Sequence, residues 1–148
     1  MKKISDPNAG ANSELSISSS YGNGDTSFQA AGGEDGVFKL VNCFYDVMQS
    51  HPKAKTIKDM HHQDLSVSRD KLARFLCAWL GGPKLFSQKY GTIRIPHAHS
   101  HLAIGPKERD AWLFCMEEAL KEQNYSQDFK EYLMKQLYVP AERSRNQD

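Results

Sequence analysis

The stretch VFKLVNCFYDVM, residues 37–48, carries the clearest structural pattern in this sequence of 148 residues. Its large apolar side chains recur at intervals of three and four, which places them on one face of an α-helix. The pair Gly32-Gly33 precedes this helix, and His51-Pro52 marks its end, because a residue before proline resists the α conformation. The apolar face consists of Val37, Leu40, Val41, Phe44, Tyr45 and Met48.

Three further long helices are predicted from the same periodicity. Between the second and the third, a short helical piece is expected at residues 84–90, followed by an alternating segment at residues 92–96 that is too short to build a sheet. The sequence therefore predicts an all-α fold with four main helices. The second helix is predicted to begin near Ser66 and to end at Gly81-Gly82-Pro83. The third begins at Gly105-Pro106. The fourth begins near Ser126 and ends at Pro140.

Composition and charge limit the possible partners. Nineteen Lys and Arg against eighteen Asp and Glu give a net charge of +1, which favours neither a nucleic acid nor a membrane surface as partner. Residues 1–24 are rich in serine and glycine and are predicted to be a flexible extension, residues 25–139 the folded domain, and residues 140–148 a polar tail. No apolar run follows the first lysines as in a secretion signal, so a cytoplasmic protein is expected.

Cysteine and histidine are the side chains in this sequence that most often hold metals. Cys43, Cys77 and Cys115 lie far apart on apolar helix faces, without a Cys-x-x-Cys pair, so reduced, buried thiols are expected. Histidines cluster at 61–62 and in the run His-x-His-x-His at 97–101, which suggests zinc, although no carboxylate sits at a matching offset. The alternatives are exposed histidines without a ligand role, or one imidazole facing an apolar slot between helices that suits a haem.

Three motifs resemble those of the group II truncated haemoglobins. They are FYDV at residues 44–47, LARFL at 72–76 leading to WLGGP at 79–83, and ERDAWL at 108–113. In that family a histidine precedes the last motif and is followed three residues later by Phe or Leu, a pattern that His99 and Leu102 match. The resemblance covers roughly residues 26–139. It implies a truncated globin, a two-over-two helical sandwich with non-covalent haem b between the helices.

The resemblance also implies the residues of the site. His99 would be the proximal iron ligand, while Tyr45, His61 and Trp112 would stabilise ligands on the distal side. Tyr45 or His61 could itself coordinate ferric iron when no external ligand is present, and His61 is preferred over its neighbour His62. Lys71 is implied to pair with a haem propionate. The other positions implied to contact the cofactor are Phe44, Ser68, Leu72, Phe75, Ile95, Leu102 and Trp112.

The expected function is reversible binding of O2, with NO, CO or peroxide as other ligands. Distal hydrogen-bond donors slow the release of oxygen, which favours its retention, and a nitric oxide dioxygenase or peroxidase-like activity, over oxygen transport. Turnover would need a separate reductase, and the protein is expected to be a monomer or a weak homodimer. Two alternatives stay open: a haem-based sensor or interaction module that uses the N-terminal extension, and a zinc protein that uses the histidine cluster.

Overall fold

The computed structural model of the protein describes residues 21–148. Most of the predicted N-terminal extension therefore lies outside the described residues, and so does the partner binding that the sensor alternative assigns to it. All regular structure in the described part is helical, which confirms the predicted fold class. The helices are α1 (Thr26–Ala30), α2 (Gly33–Ser50), α3 (Lys55–Lys58), α4 (Ser66–Trp79), α5 (Leu85–Tyr90), α6 (Ile95–Ala98), α7 (Pro106–Lys121) and α8 (Gln127–Arg143), with a 3-10 turn at Pro52–Ala54.

The four long helices α2, α4, α7 and α8 form the two-over-two sandwich. Helix α2 packs against both α4 and α7, and α7 packs against α8. Every residue of the predicted apolar face of α2, from Val37 to Met48, is buried. Burial of a large apolar side chain stabilises the fold by about 1.5–3 kcal/mol, so this face supplies a large share of the core. In the region from residue 21 to residue 148, no helix is both long and apolar enough to cross a membrane.

A tight glycine-rich junction joins α1 to α2. Gly32 and Gly33 both have positive φ, at 94° and 69°, a conformation that glycine adopts at little cost. The turn brings the carbonyl of Ala31 over the Cα of Gly36 in the first turns of α2. The Tyr125 hydroxyl donates a hydrogen bond of 2.7 Å to the same carbonyl. The Ala31 carbonyl is thus held in place from two sides.

Both ends of the described chain are more ordered than the sequence predicts. Tyr21, at the end of the predicted extension, packs its ring 5.2 Å from that of Phe129 and 4.9 Å from that of Tyr132. Helix α8 does not end at Pro140 but continues to Arg143. Its residues on both sides of the proline, Leu137 and Ala141, are buried, and this packing offsets the hydrogen bond that proline cannot donate.

Replacing Gly36 with alanine tests the junction. Alanine in a helix is ordinarily more stable than glycine by about 0.5–1 kcal/mol. At this position its Cβ would collide with the carbonyl oxygen of Ala31, so Gly36→Ala is expected to lower the free energy of unfolding by about 1–3 kcal/mol. Urea unfolding followed by circular dichroism measures the change. The exposed neighbour Asp35 provides the control, since Asp35→Ala should shift stability by less than about 0.5 kcal/mol. A Gly36→Ala protein as stable as the wild type would contradict the packing described.

Candidate functional site

His99 lies directly after α6 and has a defined tautomer. Its Nδ1 is 2.8 Å from the carbonyl oxygen of Ile95. Because a carbonyl only accepts, Nδ1 carries the hydrogen, and in the neutral ring Nε2 keeps a free lone pair. Histidines that bind metals usually donate their other ring N–H in this way. Within residues 21–148, Nε2 of His99 has no protein partner.

The neighbouring histidines differ from His99. His97 and His101 are exposed, whereas His99 is half-buried. Throughout the described chain, from residue 21 onward, no three His, Cys, Asp or Glu side chains converge where a metal ion could bind. The zinc alternative therefore finds no third ligand in the His97–His101 run or around it. All three cysteines are free, and burial raises the pKa of the Cys77 and Cys115 thiols to about 11.

A cavity of about 280 Å³ lies against residues 93–97, immediately before His99, and its lining includes His97 but not His99. Phe75 of α4 forms one wall, and Ile93 and Ile95 form another; the guanidinium groups of Arg94 and Arg143 border it. Neither arginine has a carboxylate partner in the described residues. The cavity thus combines apolar residues with two arginines and His97, and its cationic groups could pair with the carboxylates of a bound group.

On the distal side, the structure brings the predicted residues together around Phe44. The Phe44 ring, fully buried on α2, lies 4.9 Å from the Tyr45 ring and 5.1 Å from the Trp112 ring of α7. The His61 ring stands edge-on to Tyr45 at 5.9 Å. His62, which the sequence left as a competitor, is exposed. Of the two histidines, His61 is therefore the one placed beside Tyr45.

The hydroxyl of Tyr45 is a buried donor without a hydrogen-bond partner in residues 21–148. Tyr45 is 5% exposed, and burial raises the pKa of its phenol well above the ordinary value, against a smaller opposite effect of Arg69. The Arg69 guanidinium lies 5.7 Å from the Tyr45 ring centre. An unsatisfied buried hydroxyl costs about 1–3 kcal/mol. Such a group is usually explained by a ligand or water that completes it.

His61 is held by the same kind of bond as His99. Its Nδ1 lies 2.7 Å from the carbonyl oxygen of Ile57, four residues earlier at the end of a short helix. The neutral imidazole therefore presents only the lone pair of Nε2 to its surroundings. In this tautomer His61 can accept a hydrogen bond or bind a metal, but it cannot donate a hydrogen bond from Nε2.

The remaining predicted contact residues come from α4 and from the segment after α6. Ser68, Leu72 and Phe75 share one face of α4 at intervals of four and three, and all three are half-buried. Lys71 is exposed, with its ammonium 5.2 Å from the ring centre of Tyr90. Leu102 is half-buried beyond His99. Of the predicted contact residues, Phe75 and Ile95 line the cavity of about 280 Å³. The chemistry of the predicted set, an imidazole, a buried hydroxyl and apolar side chains, is of the kind that could hold a haem.

Sequence reasoning missed part of the cavity wall and its support. Ile93 lies in the alternating segment beside Ile95, and that alternation was a usable signal. Arg143 gave no signal, because it fell in residues interpreted as a polar tail. Glu142 beside it accepts hydrogen bonds from Arg109 at 2.9 Å and from Arg145 at 2.9 and 3.0 Å. This ion-pair network joins α7 to the end of α8.

Comparison with known proteins identifies the family. A family model described as bacterial-like globin matches residues 26–144. The group 2 truncated hemoglobin YjbI of Bacillus subtilis (strain 168) is 31% identical over 115 residues, covering 78% of this chain and 85% of that protein. The cold-adapted truncated hemoglobin of Pseudoalteromonas haloplanktis TAC125 superposes with a TM-score of 0.79 at 33% identity, covering 82% of this chain and 98% of the other. The truncated oxygen-avid haemoglobin of Bacillus subtilis has a TM-score of 0.74 at 30% identity, with 81% and 98% covered.

The family-model match extends along the whole sandwich, from the start of α1 to the end of α8. The chain belongs to the bacterial-like globin family and, within it, to the group II truncated haemoglobins with the two-over-two fold. Globins of this family bind haem, and globins bind O2 and other diatomic ligands.

The Arg109–Glu142–Arg145 network gives a pH-dependent prediction. Hydrogen bonds from Arg145 and Arg109 lower the pKa of Glu142 to about 2. A depressed carboxyl pKa stabilises the fold above the unfolded value of 4.5, and this contribution disappears as pH falls towards 2. Glu142→Gln should therefore lower the unfolding temperature at pH 7, and the difference from the wild type should shrink below about pH 4.5. Thermal unfolding between pH 3 and 7 measures it.

The matched control for this experiment is Glu131→Gln on the same helix. Glu131 is exposed, and among residues 21–148 its carboxylate accepts one hydrogen bond, from Gln127 at 3.3 Å, and forms no ion pair. Its replacement should leave the pH dependence of the unfolding temperature unchanged. A difference between wild type and Glu142→Gln that stays constant across the pH range would rule out the ion-pair network as its cause.

Proposed function

We propose that this protein binds haem b non-covalently. Through the haem it would bind O2 and other diatomic ligands such as NO and CO, and it would retain oxygen rather than transport it. The observation that carries the proposal is the buried Tyr45 hydroxyl, which finds no acceptor among residues 21–148. A donor held in an apolar interior without a partner suits a ligand that can accept a hydrogen bond. The similarity to the haemoglobin of Bacillus subtilis that is described as oxygen-avid also supports oxygen retention.

His99 is proposed to hold the iron from the proximal side. Its Nδ1–H is engaged by the Ile95 carbonyl, so the ring orientation is restrained and the lone pair of Nε2 is available. Ferrous haem held by His99 would supply an iron that binds diatomic gases. The apolar residues Leu72, Phe75, Ile95 and Leu102 would enclose the porphyrin, with Ser68 on the same face of α4. Lys71, Arg94 and Arg143 are the cations available to its propionates.

Tyr45 and Trp112 are proposed as the distal donors. The indole Nε1–H of Trp112, like the Tyr45 hydroxyl, has no protein acceptor in the described part of the chain. A hydrogen bond to a strongly polarised acceptor contributes about 1.5–3 kcal/mol. At about 1.4 kcal/mol per factor of ten, each donor would slow ligand release roughly ten- to a hundredfold. Two such donors favour long retention, which suits reaction better than transport.

His61 is proposed to act as an acceptor beside Tyr45. With its hydrogen on Nδ1 and donated to Ile57, it can orient the Tyr45 hydroxyl or bind ferric iron directly when no external ligand is present. Oxidation of NO by O2 to nitrate is a reaction that oxygen retention favours. Peroxide reduction is a second candidate reaction, which would take two electrons and two protons per peroxide from a reductant and would use the distal donors to polarise the peroxide. Oxidation of NO to nitrate takes one electron per cycle, for which we propose a separate reductase.

Replacing Tyr45 with phenylalanine tests the distal donor. The ring and its packing on Phe44 are kept while the hydroxyl is lost, so O2 should dissociate roughly ten- to a hundredfold faster. Stopped-flow mixing of the oxygenated protein with excess CO gives the rate. Tyr125→Phe is the matched control, because the Tyr125 hydroxyl is already used by Ala31 and its loss should leave oxygen release unchanged. An unaltered rate in Tyr45→Phe would remove this hydroxyl from ligand binding.

Replacing His99 with glycine tests the proximal assignment. The variant should hold haem weakly, with a reduced Soret band after gel filtration, and added imidazole should restore the band by taking the place of the side chain. His101→Gly is the control, since His101 is exposed and does not line the cavity, so its replacement should leave haem binding unchanged. If His99→Gly keeps its full haem content without imidazole, the iron is bound elsewhere.

A further inference from the structure

The last five residues, 144–148, run back across the segment between α6 and α7. We call them the C-terminal return segment. The Asn146 side chain lies at its centre: Oδ1 accepts a hydrogen bond of 2.9 Å from the N–H of Ile104, and Nδ2 donates one of 2.7 Å to the carbonyl of Leu102. Nδ2 also lies 3.4 Å from the carbonyl oxygen of His99 itself. One side chain thus contacts the main chain of His99 and of two residues that follow it.

The main chain of the return segment adds to these contacts. The N–H groups of Asn146 and Gln147 both donate to the carbonyl of Ile104, at 2.8 and 3.0 Å. The segment is in turn anchored to α8, because Arg145 donates to the carbonyl of Gln147 at 2.8 Å and pairs with Glu142. Residues 99–104 are therefore bound to the end of α8 through a continuous set of hydrogen bonds.

The segment that receives these contacts has little support of its own. Helix α6 is a single turn, and residues 99–105 form no regular helix before α7 begins. Within the segment, the Leu102 N–H bonds the His99 carbonyl at 3.0 Å. Ile104 and Gly105 are buried, whereas His99 and Leu102 are only half-buried. Without the return segment, the Leu102 carbonyl and the Ile104 N–H and carbonyl would lose the hydrogen bonds described above. The backbone that carries His99 would then be freer to move.

We propose that Asn146 is a positioning residue for His99: the C-terminal return segment restrains the backbone of residues 99–104, so that the imidazole is presented to the iron in one orientation. This inference rests on the proposed function. In this proposal, Asn146 raises the fraction of molecules in which His99 is oriented to bind the iron. The apparent affinity for haem falls in proportion when that fraction falls. Haem retention and the geometry of the iron–imidazole bond should then depend on a residue near the C-terminus that touches no cofactor.

The first test compares Asn146→Ala with the wild type as full-length, haem-loaded proteins. Loss of two side-chain hydrogen bonds to the segment should speed haem transfer to an excess of apomyoglobin about five- to tenfold. In the ferrous protein, the iron–imidazole stretching band in the resonance Raman spectrum should broaden, because His99 samples more orientations. Gln147→Ala is the matched control, since its main-chain N–H still bonds Ile104 and its side chain makes no hydrogen bond in the described residues.

A second variant separates the two halves of the Asn146 contact. Asn146→Asp keeps an oxygen that can accept from the Ile104 N–H but cannot donate to the Leu102 carbonyl. Its haem transfer rate and band width should be at least as large as those of Asn146→Ala, because the second carboxylate oxygen would face the Leu102 carbonyl oxygen, which also only accepts. Transfer rates and bands in both variants that match those of Gln147→Ala would overturn the proposal.

A third comparison distinguishes positioning of His99 from general stabilisation. In His99→Gly loaded with haem and imidazole, the iron ligand is no longer tied to the backbone. Asn146→Ala should therefore leave the iron–imidazole band of that protein unchanged. If Asn146→Ala speeds haem loss equally in both backgrounds, Asn146 acts through overall stability and the inference is wrong. A wild-type protein that takes up no haem would overturn the proposed function together with this inference, whereas loss of the inference alone leaves haem uptake and the Tyr45 result intact.

Discussion

Burial of one face of α2 is the constraint on which the rest of the structure depends. This face contacts both α4 and α7, so the relative placement of the three helices follows from how its side chains pack. Tyr45 belongs to that face, next to Phe44, and its phenol is carried into the interior by the same packing. The apolar stripe that stabilises the fold therefore also delivers an unsatisfied hydroxyl to the site, and the cost of leaving it unpaired is offset by the burial around it.

His61 and His99 are oriented by the same local hydrogen bond. Each follows a helix of a single turn, α3 or α6, and each donates Nδ1–H to the carbonyl four residues earlier. The bond selects a tautomer, so both rings present a lone pair at Nε2. Their surroundings then separate them: His61 stands against the Tyr45 ring, whereas the main chain around His99 is contacted by Asn146. The same chemistry thus suits an acceptor in one place and an iron ligand in the other.

The end of the chain contributes to the site from a distance in sequence. Helix α8 carries Arg143 to the cavity border and Glu142 to Arg109 in the ERDAWL motif. Beyond the helix, Asn146 reaches the main chain around His99. A segment that looks like a polar tail is therefore part of the scaffold, because its hydrogen-bonding groups pair with a loop that lacks regular structure of its own.

The sequence by itself determined the four long helices, since their apolar periods, glycine pairs and prolines are local signals, and its motifs identified the family and pointed to His99, Tyr45 and Trp112. Local patterns could not show that Phe44 would join Tyr45 to Trp112, that His61 rather than His62 would face Tyr45, or that α8 would pass Pro140. These were decided by contacts between residues far apart in the chain, whose energies depend on packing and not on neighbouring letters. The contacts of the C-terminal return segment were decided in the same way: only the folded chain brings Asn146 to residues 99–104, where its amide pairs with backbone groups.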